Sequence, residues 1–432
     1  MKVIRMPKSR AGSSKSSVSS KRKSAGGHGG ARSRDPLANL SKAERELEAE
    51  LIPAPLLHEK GGPLPLQPEM VEPTAPAPGA ETYHPVAPAC AVPKLTRKQL
   101  EAKVKELIGL QGTNPDADLI EDLIVTALRT VRDGTDRGEL KIMAAALREL
   151  RYAFSVFREF RGHRKISVFG SARTKPGAPE YEQASRFSAE MVRRGFMVIT
   201  GAGPGIMEAA QGGAGRDKSF GVNIRLPFEQ SANPVIDGDR KLIHFRYFFT
   251  RKLCFVKEAS AIALFPGGFG THDEGFEALT LVQTGKASTV PIVFIDRPGG
   301  VYWREWADYV ADHLLGKGLI SEEDMALFKV TDDPLWAAEE ITHFYKRYHS
   351  SRFVKDRLVI RMASPLPDGV IEQLNKDHHA LMAHSKERMR VTTALPEERD
   401  QPELLGLPRI VFPFNRRNFG RLRMLIDSIN RA

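Results

Sequence analysis

The chain has 432 residues, enough for one large or two ordinary domains with a real core, and a formal net charge of +11. Ten of its basic residues and none of its acids fall within residues 1–34, so the rest is close to neutral and the basicity belongs to a tail. Two cysteines far apart, Cys90 and Cys254, exclude a disulfide framework or a cysteine-based zinc site, and no apolar run approaches the roughly 18 residues that span a bilayer.

Residues 1–34 are low-complexity Lys/Ser/Gly and lack the apolar stretch of a secretory signal. Gly26-Gly27-His28-Gly29-Gly30 is poor material for the amphipathic helix of a transit peptide. The expectation is a disordered basic arm, without the aromatic residues that stack on bases, so nucleic acid is not its expected partner beyond weak contacts. Ser41 to Leu51 has the character of a short charged helix. Eleven prolines between Pro53 and Pro93 then forbid regular packing and read as a semi-extended linker.

Order is expected from Thr96, where Thr96-Arg97-Lys98-Gln99 has the form of a capping box. A second helix starts at Asn114-Pro115 and stops at Gly134, and a third runs from about Glu139 to Phe160. Along one face of the third lie Leu140, Met143, Leu147, Leu150, Phe154 and Phe157, a cover or interface without evident chemistry.

The period changes at Ile166-Ser167-Val168-Phe169, a short apolar run that ends in Gly170-Ser171-Ala172. From there strands (Phe196–Thr200, Ser219–Leu226, Ala261–Phe265, Val290–Ile295) alternate with helices (Tyr181–Arg194, Ile206–Gln211, Phe248–Glu258, Thr271–Thr284). Continuous apolar strands between helices predict an α/β fold, a Rossmann-like doubly wound parallel sheet whose ligands bind beyond the strands' carboxyl ends. Tyr302–Leu315 and Pro334–Tyr348 read as further helices. After Ser350 a β-α-β-β-α pattern (Leu358–Met362, Asp368–His379, Met389–Ala394, Arg409–Phe414, Arg416–Asn430) suggests a small α+β region. The expected organisation is tail and linker over 1–93, helical extension over 94–162, Rossmann-like domain over 163–349 and α+β domain over 350–432. His378, His379 and His384 read as a solvated face, and no metal is expected.

Two glycine turns sit at strand ends. Gly201-Ala202-Gly203-Pro204-Gly205 lacks the Gly-x-Gly-x-x-Gly spacing of a dinucleotide site. Pro266-Gly267-Gly268-Phe269-Gly270-Thr271 is the stronger signal: it follows an apolar strand, opens a helix, bares backbone N–H groups and adds a hydroxyl. The helix places Glu274 and Glu277 one turn apart on one face. A carboxylate beside an anion site is electrostatically awkward, which points to chemistry rather than affinity.

Pro266-Gly267-Gly268-x-Gly270-Thr271-x-x-Glu274 resembles the signature of the LONELY GUY family, formerly mislabelled as lysine decarboxylases. Arg251-Lys252 is similar to the family's upstream pair, and Phe169-Gly170-Ser171-Ala172-Arg173 and Gly203-Pro204-Gly205-Ile206-Met207-Glu208-Ala209 resemble its first two strand ends. The likeness covers about residues 165–345, and the long form is similar to bacterial nucleotide 5′-monophosphate nucleosidases of that superfamily.

The resemblance implies hydrolysis of the N-glycosidic bond of a nucleoside 5′-monophosphate by a homo-oligomer; no cofactor is expected, and the two unpaired cysteines suit a reducing, cytoplasmic compartment. Gly267, Gly268, Gly270 and Thr271 would hold phosphate, and Arg251 and Glu274 would form the catalytic pair. Gly170, Ser171, Gly203, Gly205, Lys252, Glu277 and Thr280 would be further contacts. His272 stands where the family often has an apolar residue. The stretch Phe228–Pro234 follows the long-form pattern rather than that of the cytokinin-activating enzymes, which favours AMP or a related purine nucleotide. Two rivals remain: a pyridoxal-phosphate decarboxylase, for which Lys252 or Lys257 would be needed, and a nucleotide sensor or carrier on the same fold.

Overall fold

The computed structural model describes residues 96–432 apart from 111, 113 and 225–231. The basic arm, the charged helix at Ser41, the proline linker, Cys90 and most of the 228–234 stretch lie outside the described residues.

Three helices come first: α1 (Arg97–Gly109), α2 (Ala117–Asp133) and α3 (Arg137–Arg158). Thr96 and Gln99 form the expected capping box on α1, and Asp136 with Glu139 forms another on α3. Gly134 ends α2 in the left-handed region at φ 68°. At the start of α2 the cap is Asp116, and Asn114 Oδ1 instead accepts from the Asp116 N–H at 2.9 Å. Phe157 of α3 is buried in the core, whereas Leu140, Met143 and Leu147 on the same helix and Leu119, Leu123 and Val131 on α2 remain exposed.

Seven parallel strands follow: β1 (Lys165–Phe169), β2 (Met197–Thr200), β3 (Ser219–Ile224), β4 (Leu242–Phe245), β5 (Ala261–Leu264), β6 (Ile292–Ile295) and β7 (Phe328–Thr331). Their order is β4-β3-β2-β1-β5-β6-β7. The connecting helices are α4 (Pro179–Arg193), α5 (Ile206–Ala214), α6 (Phe248–Glu258), α7 (Phe269–Gln283), α8 (Tyr302–Tyr309) and α9 (Pro334–Phe344). A π-helical turn, Val310–Leu315, extends α8.

Strand residues alternate between two cores, as the two-residue period of a pleated strand requires. Phe169, Ile199, Ile262 and Leu264 enter one core with Phe157, Phe255, Phe294 and Trp303. Ile166, Val168, Val198 and Ala263 enter the other with Phe187, Met191, Ile206 and Ile341. Both faces are thus covered, and the fold is the doubly wound α/β sheet expected. β4 and β7 were not anticipated. They are four-residue strands at the two edges, where the apolar signal is weakest.

The chain continues into a four-stranded antiparallel sheet of order β10-β11-β9-β8, formed by β8 (Tyr348–Val354), β9 (Arg357–Met362), β10 (Arg390–Thr392) and β11 (Arg409–Pro413). α10 (Val370–Asp377) and α11 (Phe419–Arg431) cover one face, with Leu374, Leu422, Leu425 and Ile426 against Ile360, Ile410 and Phe412. This corrects two expectations. Helix α9 ends at Phe344 rather than Tyr348, and a first strand precedes the expected pattern; its Ser350-Ser351-Arg352 centre is half-buried and polar, so it carries no apolar period. His378 is not solvated either: it is buried, with Nε2 3.0 Å from Ser428 Oγ. Among the described residues no helix is long and apolar enough to cross a membrane, and no cluster of three or more potential ligands is placed to hold a metal ion.

Candidate active site

β1 and β5 are neighbours at the centre of the sheet, and the strand order reverses between them: β2, β3 and β4 lie on one side, β6 and β7 on the other. Such a switch point leaves a crevice at the carboxyl ends, because the two connections depart in opposite directions. A cleft of about 800 Å³ opens there. Its walls are the turn after β1 (Gly170 to Arg173), Gly201 after β2, Met207 of α5, Phe248 and Arg251 of α6, Tyr302 of α8, and the run Gly267 to Glu274.

The Gly267–Thr271 turn opens α7, with Gly268 as the N-cap. The N–H groups of Thr271 and His272 both turn back to the Gly268 carbonyl, at 3.0 and 3.2 Å. Phe269 and Gly270 stand at the first two helical positions, whose N–H groups have no partner within a helix; with the helix dipole they make a site for an anion. Phe269 itself is 97 % exposed at the rim. The turn is tied to its neighbour across the cleft, since the Ser171 N–H donates to the Pro266 carbonyl at 3.1 Å.

One helical turn further in, Glu274 is buried to 9 % exposure. Burial pushes its carboxyl up to about 7, against the opposing charges of Lys252 and Arg251. Arg251 faces the same cleft. Its Nε donates to the Val222 carbonyl at 2.9 Å, and its guanidinium lies 5.1 Å from the Phe255 ring centroid. The guanidinium reaches this position only because glycine follows β2: a Cβ on Gly201 would stand 2.5 Å from Arg251 Nη2. Burial draws Arg251 below its ordinary value, and the charge of Glu274 opposes that shift. A desolvated carboxyl and a desolvated guanidinium thus share one crevice, each made costly by the absence of water.

Of the residues singled out in the sequence, Gly170, Ser171, Arg251, Gly267, Gly268, Gly270, Thr271 and Glu274 line the cleft. Lys252 does not. It is ion-paired with Asp273 at 2.6 Å and Glu277 at 3.1 Å; burial works against its charge, but the two carboxylates outweigh burial and hold its pKa above the ordinary value. Glu277 therefore turns to Lys252 while Glu274 turns inward. Lys257, the other lysine open to a pyridoxal role, pairs with Glu258 at 2.6 Å and is also absent from the lining.

Gly203 and Gly205 lie behind the wall. The Gly203 carbonyl accepts from Asn233 Nδ2 at 3.0 Å, and Gly205 packs against the backbone of Ser171 and Ala172. Thr280 is exposed and borders a separate cavity of about 110 Å³ with Phe276, Trp306 and Leu314. Sequence reasoning missed Tyr302, Met207, Phe248 and Gly201 as cleft residues. Only Gly201, at the end of an apolar strand, left a local sign.

Residues 205–341 match the family model described as possible lysine decarboxylase. It overlaps the stretch whose motifs resemble the LONELY GUY signature. The matched segment carries Arg251 and Glu274 together with the glycine cradle, while the turn after β1 completes the cleft from outside it. Among curated proteins the chain is 29 % identical over 149 residues to the pyrimidine/purine nucleotide 5′-monophosphate nucleosidases of Escherichia coli strains K12 and O157:H7. The alignment spans 32 % of this chain and 32 % of those proteins. Similar solved structures include a molybdenum cofactor binding protein from Rippkaea orientalis (17 % identity, TM-score 0.29) and the molybdenum cofactor carrier protein of Chlamydomonas reinhardtii (16 % identity, TM-score 0.28). Each match covers 42 % of this chain and 96 % of the other.

Proposed function

We propose that this chain hydrolyses the N-glycosidic bond of a nucleoside 5′-monophosphate, releasing free base and ribose 5-phosphate. The observation that carries the reading is Glu274, a buried carboxyl without an ion-pair partner among the described residues, one turn inside an anion-binding helix start and in the same cleft as Arg251. A site built only to hold phosphate gains nothing from that acid.

In this reading the phosphate sits on the N–H groups that open α7, with the Thr271 hydroxyl beside it. The C1′–N bond breaks with its electron pair going to the base, and positive charge builds on the ribose. The ionised Glu274 stabilises that charge and takes a proton from the water whose oxygen bonds to C1′; that proton then passes to the departing base, which leaves Glu274 ionised again. Arg251 keeps its proton throughout and acts through charge, on the phosphate or the departing base. Positioned acid–base help of this kind contributes about 10²–10⁴-fold.

AMP or a related purine monophosphate is the substrate to try first. The names of the Escherichia coli relatives support monophosphates of both base classes as a panel. Release of base from at least one member is expected. Tight binding without release from any member would make the protein a nucleotide carrier instead.

A homo-oligomer and a cytoplasmic setting complete the proposal. Leu119, Leu123 and Val131 on α2 and Phe248, Phe249 and Leu253 on α6 expose apolar area that a second copy would cover. The thiol of Cys254 is free, buried and pushed up to about 12 by burial, which suits a reducing compartment. A monomer in sedimentation of the full chain would contradict the assembly.

A further inference from the structure

We propose that Tyr302 and His272 are positioning residues that hold the phosphate cradle in its binding geometry. The inference rests on the monophosphate reading above. The Tyr302 hydroxyl donates to the Gly267 carbonyl, and His272 Nε2 stands 2.7 Å from the same hydroxyl. A phenol has one proton. With that proton committed to Gly267, the imidazole nitrogen is the donor of the second bond, so His272 carries a proton on Nε2 whether neutral or charged.

This pair braces the part of the cleft least able to brace itself. The cradle is built from three glycines, which have the most backbone freedom to lose. Gly267 cannot be exchanged for a residue that would pack in place, because a Cβ there would lie 2.1 Å from Thr271 Oγ1 and 3.0 Å from the Ser171 nitrogen. What remains is to hold the turn by its carbonyl. In a trans peptide the C=O and the following N–H point in opposite directions. Fixing the Gly267 oxygen on Tyr302 therefore fixes the direction of the Gly268 N–H. It also engages an oxygen whose partial negative charge would otherwise be free to turn toward a bound anion.

Tyr302 is itself well seated. Its ring stands edge-on to Trp303, with centroids 4.7 Å apart; Trp303 is fully buried, and its backbone N–H donates to Asp296 Oδ2 at 3.2 Å. His272 is held between the rings of Tyr302, Trp303 and Phe276. The brace thus runs from the sheet core through α8 to the cradle, and α7 supplies its second donor. Neither residue is asked to touch the breaking bond, so the effect belongs to binding of the phosphate group.

The test is calorimetric titration of the full chain with ribose 5-phosphate, alongside steady-state hydrolysis of AMP. Tyr302→Phe keeps the ring and removes the hydroxyl. Affinity for ribose 5-phosphate should fall about 3- to 10-fold, the worth of one hydrogen bond. KM for AMP should rise in step, with kcat changed less than about twofold. His272→Leu should move both quantities the same way by less, and it carries the test if Tyr302→Phe does not fold. Wild-type affinity for ribose 5-phosphate in both variants would overturn the inference, as would a loss in kcat at constant KM. An equal loss of affinity for adenosine, which has no phosphate, would also overturn it. A wild-type chain that binds ribose 5-phosphate but hydrolyses nothing would leave this inference standing and sink the hydrolase reading.

Discussion

Two buried glutamates, Glu274 on helix α7 beside the parallel sheet and Glu398 on a short helical turn beside the antiparallel one, are treated in opposite ways. Glu398 lies fully buried behind the small antiparallel sheet, between Arg361 and Arg409, with Nε to carboxylate distances of 2.8 Å on both sides. Arg409 in turn donates to the carbonyls of Leu404 and Leu407. Burial works against the charge of Glu398, but its hydrogen bonds to Arg409, the Leu395 backbone and Arg361 outweigh it and hold the carboxyl below the ordinary range. Glu274 has burial without such partners, and its carboxyl is pushed up to about 7. The two nearest cations are engaged elsewhere: Arg251 donates to Val222, and Lys252 pairs with Asp273 and Glu277. A buried acid that is paired holds structure together. One left unpaired at a ligand cleft is poised to change its charge during a reaction.

The largest expected contrast comes from the same substitution at both sites. Glu398→Gln leaves two buried guanidinium groups facing a neutral amide and should cost about 3–5 kcal/mol of stability. Activity per folded molecule should survive, as measured by denaturant unfolding and by assays on the folded fraction. Glu274→Gln should do the reverse, keeping the fold and losing turnover. If Glu398→Gln proves stable, or Glu274→Gln unfolds, the division between the two sites fails.

The pH dependence of stability separates them next. Glu274 has a folded pKa above its unfolded one, so the folded state binds the extra proton between about pH 4.5 and 7. Its contribution is fully present below the lower value and is lost as pH rises through about 7. Glu398 has a lowered pKa, so its contribution is present above the ordinary carboxylate range and is lost as pH falls below it. Stability of Glu274→Gln should therefore vary less with pH than wild type between about pH 4.5 and 7, and run parallel to it at lower pH.

A smaller effect is expected from Lys252→Met. The Lys252 charge lowers the Glu274 pKa, so removing it should move the midpoint of the pH–rate profile upward. A downward shift would mean that Lys252 acts on Glu274 through something other than charge.

How much of this was legible in the sequence follows from how local each feature is. The cradle and Glu274 share one strand-to-helix turn, so their spacing sufficed to place them together, and the apolar run before Pro266 marked a central strand. Arg251 precedes that strand on the neighbouring helix, and it was found through a resemblance, not through any pattern of its own. Tyr302 was invisible. It comes 35 residues after the glycine it holds, on a helix whose visible signal is aromatic packing. Phe248 and Met207 stand near the starts of α6 and α5, and neither carries a pattern of its own that marks a cleft wall. Thr280 was also carried over from the resemblance, but two and a half turns along α7 take it past the cleft to the second cavity. Strands β4, β7 and β8 lie at sheet edges, where one side has no neighbouring strand and the apolar pattern weakens.

The measurement closest to the central claim is release of free base from AMP by wild type and Glu274→Gln, at equal folded concentration, from acid to mildly alkaline pH. The account predicts adenine and ribose 5-phosphate in equal amounts from wild type, at a rate that rises through about pH 7, and a loss on the order of 10²-fold or more in the variant. Equal release by both proteins, or a wild-type rate that falls as Glu274 ionises, would contradict it.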